Sequence, residues 1–139
     1  MRDRPLITIV TATYNRSQVL AHAIESVRRS TIDDWEHVVV GDGCTDDTAS
    51  VARSRKGVKV VELPINKGKG GAMVAGVAAT DAKVIAFVDA DLTGLRPEHL
   101  DKIILPILTG QCEMCVGVFR GGKFWSDTAQ RISPYISGQ

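Results

Sequence analysis

The sequence has no apolar run long enough to cross a bilayer, which takes about 20 consecutive residues. It also lacks an excess of either charge: 17 Lys and Arg stand against 16 Asp and Glu, a formal net charge of +1. That balance offers no broad positive field, which argues against nucleic acid or an anionic membrane surface as the main partner. Cysteine is scarce and odd in number, with only Cys44, Cys112 and Cys115, so a disulfide framework fits poorly. Cys112-Glu113-Met114-Cys115 has redox or zinc spacing, but no second pair completes a site. Its place in an apolar, strand-like pattern favours a structural reading. Internal repeats, low-complexity tracts and linkers are all missing. The apolar stretch after Met1-Arg2-Asp3-Arg4-Pro5 runs only from Leu6 to Val10, shorter than a secretory leader core. A cytoplasmic location is therefore expected, with peripheral membrane attachment left open.

What is present suits one folded domain over residues 1–139. Hydrophobic residues make up 44% and charged residues 24%, an ordinary globular balance that can bury one core. Short β-branched runs alternate with amphipathic stretches. Leu6 to Val10, Glu36 to Val40, Val58 to Leu63 and Lys83 to Val88 read as strands, and Met114 to Phe119 as a candidate fifth. The fourth run is nearly all apolar and is expected at the centre of the sheet, covered on both faces. Between them, a helix is expected after Ser17 as N-cap, another over Thr45 to Ser54, and a small-residue helix over Gly70 to Ala79. A last helix, Pro97 to Leu108, opens on proline. This alternation predicts a three-layer α/β/α fold on a mostly parallel sheet.

Ligands of such sheets bind at the carboxyl ends of the strands. The residues that follow the strands are Thr11, Thr13, Tyr14 and Asn15; Asp42, Gly43 and Asp46; Asn66 to Gly70; and Asp89 and Asp91. Carboxylates, lysines, glycines and an aromatic ring thus gather on one edge, an inventory suited to a nucleoside diphosphate and a metal ion. Asp89-Ala90-Asp91 puts two hard oxygen donors one residue apart at a strand end, as Mg²⁺ or Mn²⁺ beside phosphates would require. The plainer alternative is an acidic turn ahead of the Pro97 helix. Asn66-Lys67-Gly68-Lys69-Gly70-Gly71-Ala72 combines close backbone approach with positive charge, or is simply a flexible basic turn. It is neither a Walker A loop nor a dinucleotide fingerprint. Asp42 could accept the ring N–H of uracil or guanine. Asp46 and Asp47 equally suit a helix N-terminus, and Tyr14 either stacks on a base or packs on the sheet edge. His22, His37 and His99 show no ligand spacing and read as structural or exposed. Arg120-Gly121-Gly122-Lys123 reads as a solvated basic turn.

Taken together, these segments resemble the family 2 glycosyltransferases. Ile9-Val10-Thr11-Ala12-Thr13-Tyr14-Asn15-Arg16 is similar to the family's opening strand and P-T-Y-N-R turn. Val40 to Thr48 is similar to D-D-G-S-T-D-D-T, and Phe87-Val88-Asp89-Ala90-Asp91-Leu92 to the F-x-D-A-D metal motif. Asn66 to Ala72 is similar to the N-x-G-K-G-x-A segment, which also occurs in glucosyl-3-phosphoglycerate synthases and dolichyl-phosphate mannosyltransferases. Ala12, Gly41 and Cys44 depart from the usual Pro, Asp and Ser.

The resemblance implies a GT-A, Rossmann-like fold and metal-dependent sugar transfer from a nucleotide-diphosphate sugar, UDP- favoured over GDP-. It implies nucleotide-sugar contacts from Thr11, Ala12, Tyr14, Asn15, Asp42, Lys69, Asp89 and Ala90. Asp91, with Asp89, would hold Mg²⁺ or Mn²⁺. Residues 1–92 would form the nucleotide-sugar half and 93–139 the start of the acceptor half. Family domains normally run well past this length, so the fold is expected to be incomplete at its C-terminus. The catalytic base is expected beyond Gln139. The acceptor (saccharide, lipid phosphate or small molecule), inversion or retention at the sugar, and a homodimer stay open. Two alternatives remain: a nucleotide-binding module without turnover, and a sugar nucleotidyltransferase. The last would want a Gly-rich basic signature where Thr13-Tyr14-Asn15-Arg16 stands.

Overall fold

The computed structural model describes residues 4–31, 33–92 and 95–117. Along them run β1 (Ile7–Thr13), α1 (Ser17–Arg28), β2 (Trp35–Asp42), α2 (Thr48–Arg53), β3 (Val58–Leu63), α3 (Gly68–Ala78), β4 (Val84–Phe87) and α4 (Pro97–Leu108). The strands form one parallel sheet in the order β3-β2-β1-β4. Ile7 is in register with both Trp35 and Val84.

Alternation along β1 and β2 splits the core between two faces. Ile7 and Ile9 meet Val27, Leu100 and Ile104, while Val39 meets Leu20, Ile24 and Ala52. Those partners place α1, α2 and α4 on one face. Val10, Val38 and Val40 turn the other way and meet Ala72 of α3. The face occupied by each helix follows from handedness: the chain moves from β1 out to β3, then crosses back to β4, so right-handed crossovers put α3 opposite α1 and α2. On α3, a Cβ added at Gly76 would collide with the Val10 side chain, so glycine lets this helix lie close on the sheet.

Several boundaries differ from the sequence expectations. Ser17 is the first residue of α1, and Arg16 takes the N-cap place with no side-chain cap. The neighbouring loop does the capping, because Ser17 N–H donates to Asp46 Oδ2 at 3.5 Å and Arg16 N–H to Thr48 Oγ1 at 3.1 Å. The second helix starts at Thr48, not Thr45. There Asp46 accepts the Thr48 N–H at 3.0 Å and also its hydroxyl, a local turn that competes with helix. The third helix starts two residues early, at Gly68.

Among the described residues the fourth strand is not flanked on both sides as expected: β1 and β2 are the inner strands, and β4, like β3, lies at an edge. Val84 and Ala86 pack towards α4 and Ile85 towards α3, which accounts for the apolar run without central placement. The expected fifth strand over Met114 to Phe119 is not formed in residues 114–117, and the remainder lies outside the described residues. Cys112 and Cys115 are free thiols, and neither lies in a strand.

His37 lies wholly inside, its Nε2 at 2.8 Å from Thr11 Oγ1 and its Nδ1 without a partner among the described residues. Burial pushes its pKa down from 6.5 to about 4, because the charged ring would lose its hydration. A lowered base is neutral when folded, so this contribution is complete above about pH 6.5 and is lost as pH falls towards 4. The full loss is about 3 kcal/mol by linkage. Denaturation midpoints measured down this range should fall, and an imidazole ¹H shift for His37 still titrating near 6.5 would refute the assignment.

Candidate functional site

A pocket of about 310 Å³ opens at the carboxyl edge of the sheet, within the size range of small-ligand sites. It lies where the strand order reverses, with β1 leading out to β2 on one side and flanked by β4 on the other. Backbone crevices at such switch points are the ordinary ligand sites of open α/β sheets. Its walls come from the end of β1 (Ala12, Thr13, Tyr14, Arg16), the end of β2 (Asp42) and the β3–α3 turn with the start of α3 (Asn66, Gly68, Lys69, Ala72). The segment after β4 (Asp89, Ala90, Asp91) completes them.

The β2 and β3–α3 loops are locked together. Gly43 has φ 70, and a Cβ there would meet Ile65 C at 2.7 Å and collide with Asn66 N. Only glycine permits that approach. It lets Asp42, 4% exposed, receive the Lys67 N–H on Oδ1 at 2.7 Å. The second Asp42 oxygen has no protein partner among the described residues. Asn66 Oδ1 then accepts the Gly68 N–H at 2.9 Å, and Gly68, φ 78, turns the chain into α3. The N-cap residue Lys67 makes no side-chain cap and Asn66 holds only the Gly68 N–H, so the positive dipole end of α3 and the N–H groups after Gly68 face the pocket beside Lys69.

On the opposite wall, Val88 N–H donates to Val10 O at 3.0 Å, carrying the β1–β4 ladder to the residue before Asp89. Lys69 Nζ lies 2.6 Å from Asp89 Oδ1. Ala90 is buried and Asp91 exposed, which turns the two carboxylates outward around a buried methyl. Three carboxylates and two cationic side chains line the pocket. A diphosphate would meet net negative charge unless a divalent cation joined it.

The residues expected from the sequence divide here. Ala12, Tyr14, Asp42, Lys69, Asp89, Ala90 and Asp91 share the pocket wall. Thr11 and Asn15 do not: the Thr11 hydroxyl is buried against His37, and Asn15, φ 47, accepts the Thr45 N–H at 2.9 Å. Thr13, Asn66 and Gly68, read as strand-end residues but given no contact of their own, line the pocket as well, as do Arg16 and Ala72. Arg16 and Asn66 were within the quoted motifs, and their polar side chains next to a strand end were the signal. His99 proves to be part of a helix start, its Nδ1 accepting the Arg96 N–H at 3.1 Å.

The acid pair suits a metal only with help. No group of three or more His, Cys, Asp or Glu able to hold an ion exists among the described residues. Mg²⁺ and Mn²⁺ take one or two carboxylates and draw their remaining oxygens from phosphate and water. Asp89 and Asp91 therefore fit as a half-site that a diphosphate would complete. Among the described residues, no helix is long and apolar enough to cross a membrane.

A family model described as Glycosyl transferase family 2 matches residues 8–134. An uncharacterized glycosyltransferase of Nostoc sp. is 37% identical over 102 residues, covering 70% of this chain and 31% of that protein. Glucosyl-3-phosphoglycerate synthase of Mycobacterium tuberculosis, solved with Mn²⁺, UDP-glucose and phosphoglyceric acid, superposes with a TM-score of 0.66 at 29% identity. That match covers 77% of this chain and 41% of the synthase. A mannosyltransferase of Pyrobaculum calidifontis, solved with GDP-Man and Mn²⁺, superposes with a TM-score of 0.68 at 22% identity, over 75% and 32% of the two chains. The parallel sheet with flanking helices is thus the GT-A arrangement. The chain spans about a third of the length of the curated relatives it matches.

Proposed function

The chain belongs to glycosyltransferase family 2, and from that membership we propose that its pocket holds the nucleoside diphosphate of an activated sugar. The protein would then transfer the sugar to an acceptor. One observation carries this reading: at the switch point, a phosphate-attracting wall (Lys69 and the positive end of α3) faces a cation-attracting wall (Asp89 and Asp91).

Each residue then has a task set by its chemistry. Asp42, fixed by the Lys67 amide, offers its second oxygen to a ring N–H of the base. Tyr14, 48% exposed at the pocket mouth, offers a ring face for stacking. Lys69 and the α3 amides balance the phosphates. Asp89 and Asp91 would hold Mg²⁺ or Mn²⁺, which when bound offsets charge on the departing diphosphate. UDP is favoured over GDP because the UDP-glucose-bound synthase is nearer in sequence, 29% identical, than the GDP-Man-bound mannosyltransferase at 22%.

Thermal unfolding tests this directly. With Mn²⁺ present, UDP-glucose at about 100 times its Kd should raise Tm by on the order of 10 °C. Neither the sugar nucleotide nor Mn²⁺ alone should match it. No shift with any UDP- or GDP-sugar plus Mn²⁺ would end the proposal. Stabilisation with no UDP released in the presence of acceptors would leave a binding module.

A further inference from the structure

The two acids of the candidate metal half-site are not equivalent. Asp91 is exposed and has no hydrogen-bond or ion-pair partner among the described residues. Asp89 Oδ1 is already engaged, 2.6 Å from Lys69 Nζ. An oxygen receiving an ammonium at that distance is a poorer ligand for a divalent ion, because the lysine charge already offsets the carboxylate and would repel a second cation beside it. Both side chains face solvent, Lys69 at 66% and Asp89 at 48% exposed, so the pair is weak and readily exchanged. The lysine also has room to leave. It sits on the first turn of α3 between Gly68 and Gly70, and a Cβ added at either would meet nothing within 4 Å.

We infer that Lys69 is a tethered stand-in for the cation, masking Asp89 until a diphosphate draws it away. This rests on the reading of Asp89 and Asp91 as the metal half-site. Without nucleotide, Lys69 competes with the metal for Asp89 and adds like-charge repulsion, so metal alone binds weakly. A phosphate group gives the ammonium a better anion, frees Asp89, and supplies the oxygens the half-site lacks. Metal and nucleotide then strengthen one another's binding through one side chain, and the coupling must be reciprocal. Free divalent ions would not occupy the site before the donor arrives.

The test is Mn²⁺ binding, followed by the loss of the free-ion EPR signal, with MnCl₂ alone and with UDP added. Lys69→Met should bind Mn²⁺ without nucleotide about threefold tighter or more, the scale set by losing an exposed ion-pair competitor. UDP should then enhance Mn²⁺ affinity less in the variant than in the unchanged protein. Lys69→Gln, which keeps a polar end without the charge, should behave as Lys69→Met does. Unchanged or weaker nucleotide-free binding in both variants, alongside Mn²⁺ binding that Asp91→Asn abolishes, overturns the competition and leaves the metal site standing. Mn²⁺ binding that is absent or indifferent to Asp91→Asn in every protein, with and without UDP, removes the site itself and the proposed function with it.

Discussion

Gly43→Ala is expected to cost about 3 kcal/mol of stability or more, with a matching fall in the denaturation midpoint. Two costs add. An L residue at φ 70 is strained, by about 1–2 kcal/mol. The new methyl would also press on backbone rather than on a movable side chain, 2.7 Å from Ile65 C and against Asn66 N, and forced overpacking costs about 1–3 kcal/mol. Against a typical total of about 5–15 kcal/mol the loss is large. Gly57→Ala is the control: its φ is 82, but a Cβ there meets nothing within 4 Å, so it bears the strain alone. Equal midpoints for the two variants would show that the loop contact is unimportant. The methyl also pushes residues 65 and 66 outward and so pulls Lys67 N–H from Asp42. Nucleotide affinity should therefore fall in Gly43→Ala even where the protein remains folded.

Asp91→Ala is the second large effect. It removes the acid that no group among the described residues competes for and leaves Asp89 paired with Lys69. Loss of an outer partner of a metal ligand already costs about 10–100-fold in affinity, so loss of a direct ligand should cost about 100-fold or more. Titration calorimetry with UDP-glucose should show that Mn²⁺ no longer enhances binding, while the small metal-independent part persists. The fold should be spared, because Asp91 is exposed. Mn²⁺ enhancement surviving intact in this variant would move the metal elsewhere.

How far the sequence showed these features depended on the kind of signal. Helix α4 runs over Pro97–Leu108 and β3 over Val58–Leu63, as read, because proline at a first turn and a bounded β-branched run are local signals. Among the described residues, pattern did not place β4, which was expected inside the sheet and has β1 as its one strand neighbour. Its apolar residues report that α3 and α4 cover its faces, and face coverage does not reveal how many strands flank a strand. The start of α1 was misread because its cap comes from Asp46, in a loop about 30 positions away. Tertiary capping leaves no local trace. At the candidate site, the rule that ligands gather at strand ends found most of the wall. It could not separate Thr11 from Ala12, since neighbouring strand residues face opposite sides. Thr11 turns inward to His37, and Ala12 lines the pocket.

The order of the strands also sets a timetable. β1, β2 and β3 are neighbours in sequence as well as in the sheet, so they can zip together through short loop closures as soon as the chain emerges. β4 must find β1 across the whole intervening chain, pairing Val84 with Ile7, and distant pairings are the slow ones in folding. The half of the pocket that carries Asp42 can thus assemble first, and the half that carries Asp89 and Asp91 closes last. A nascent chain would have somewhere to seat a base before it has anywhere to seat an ion.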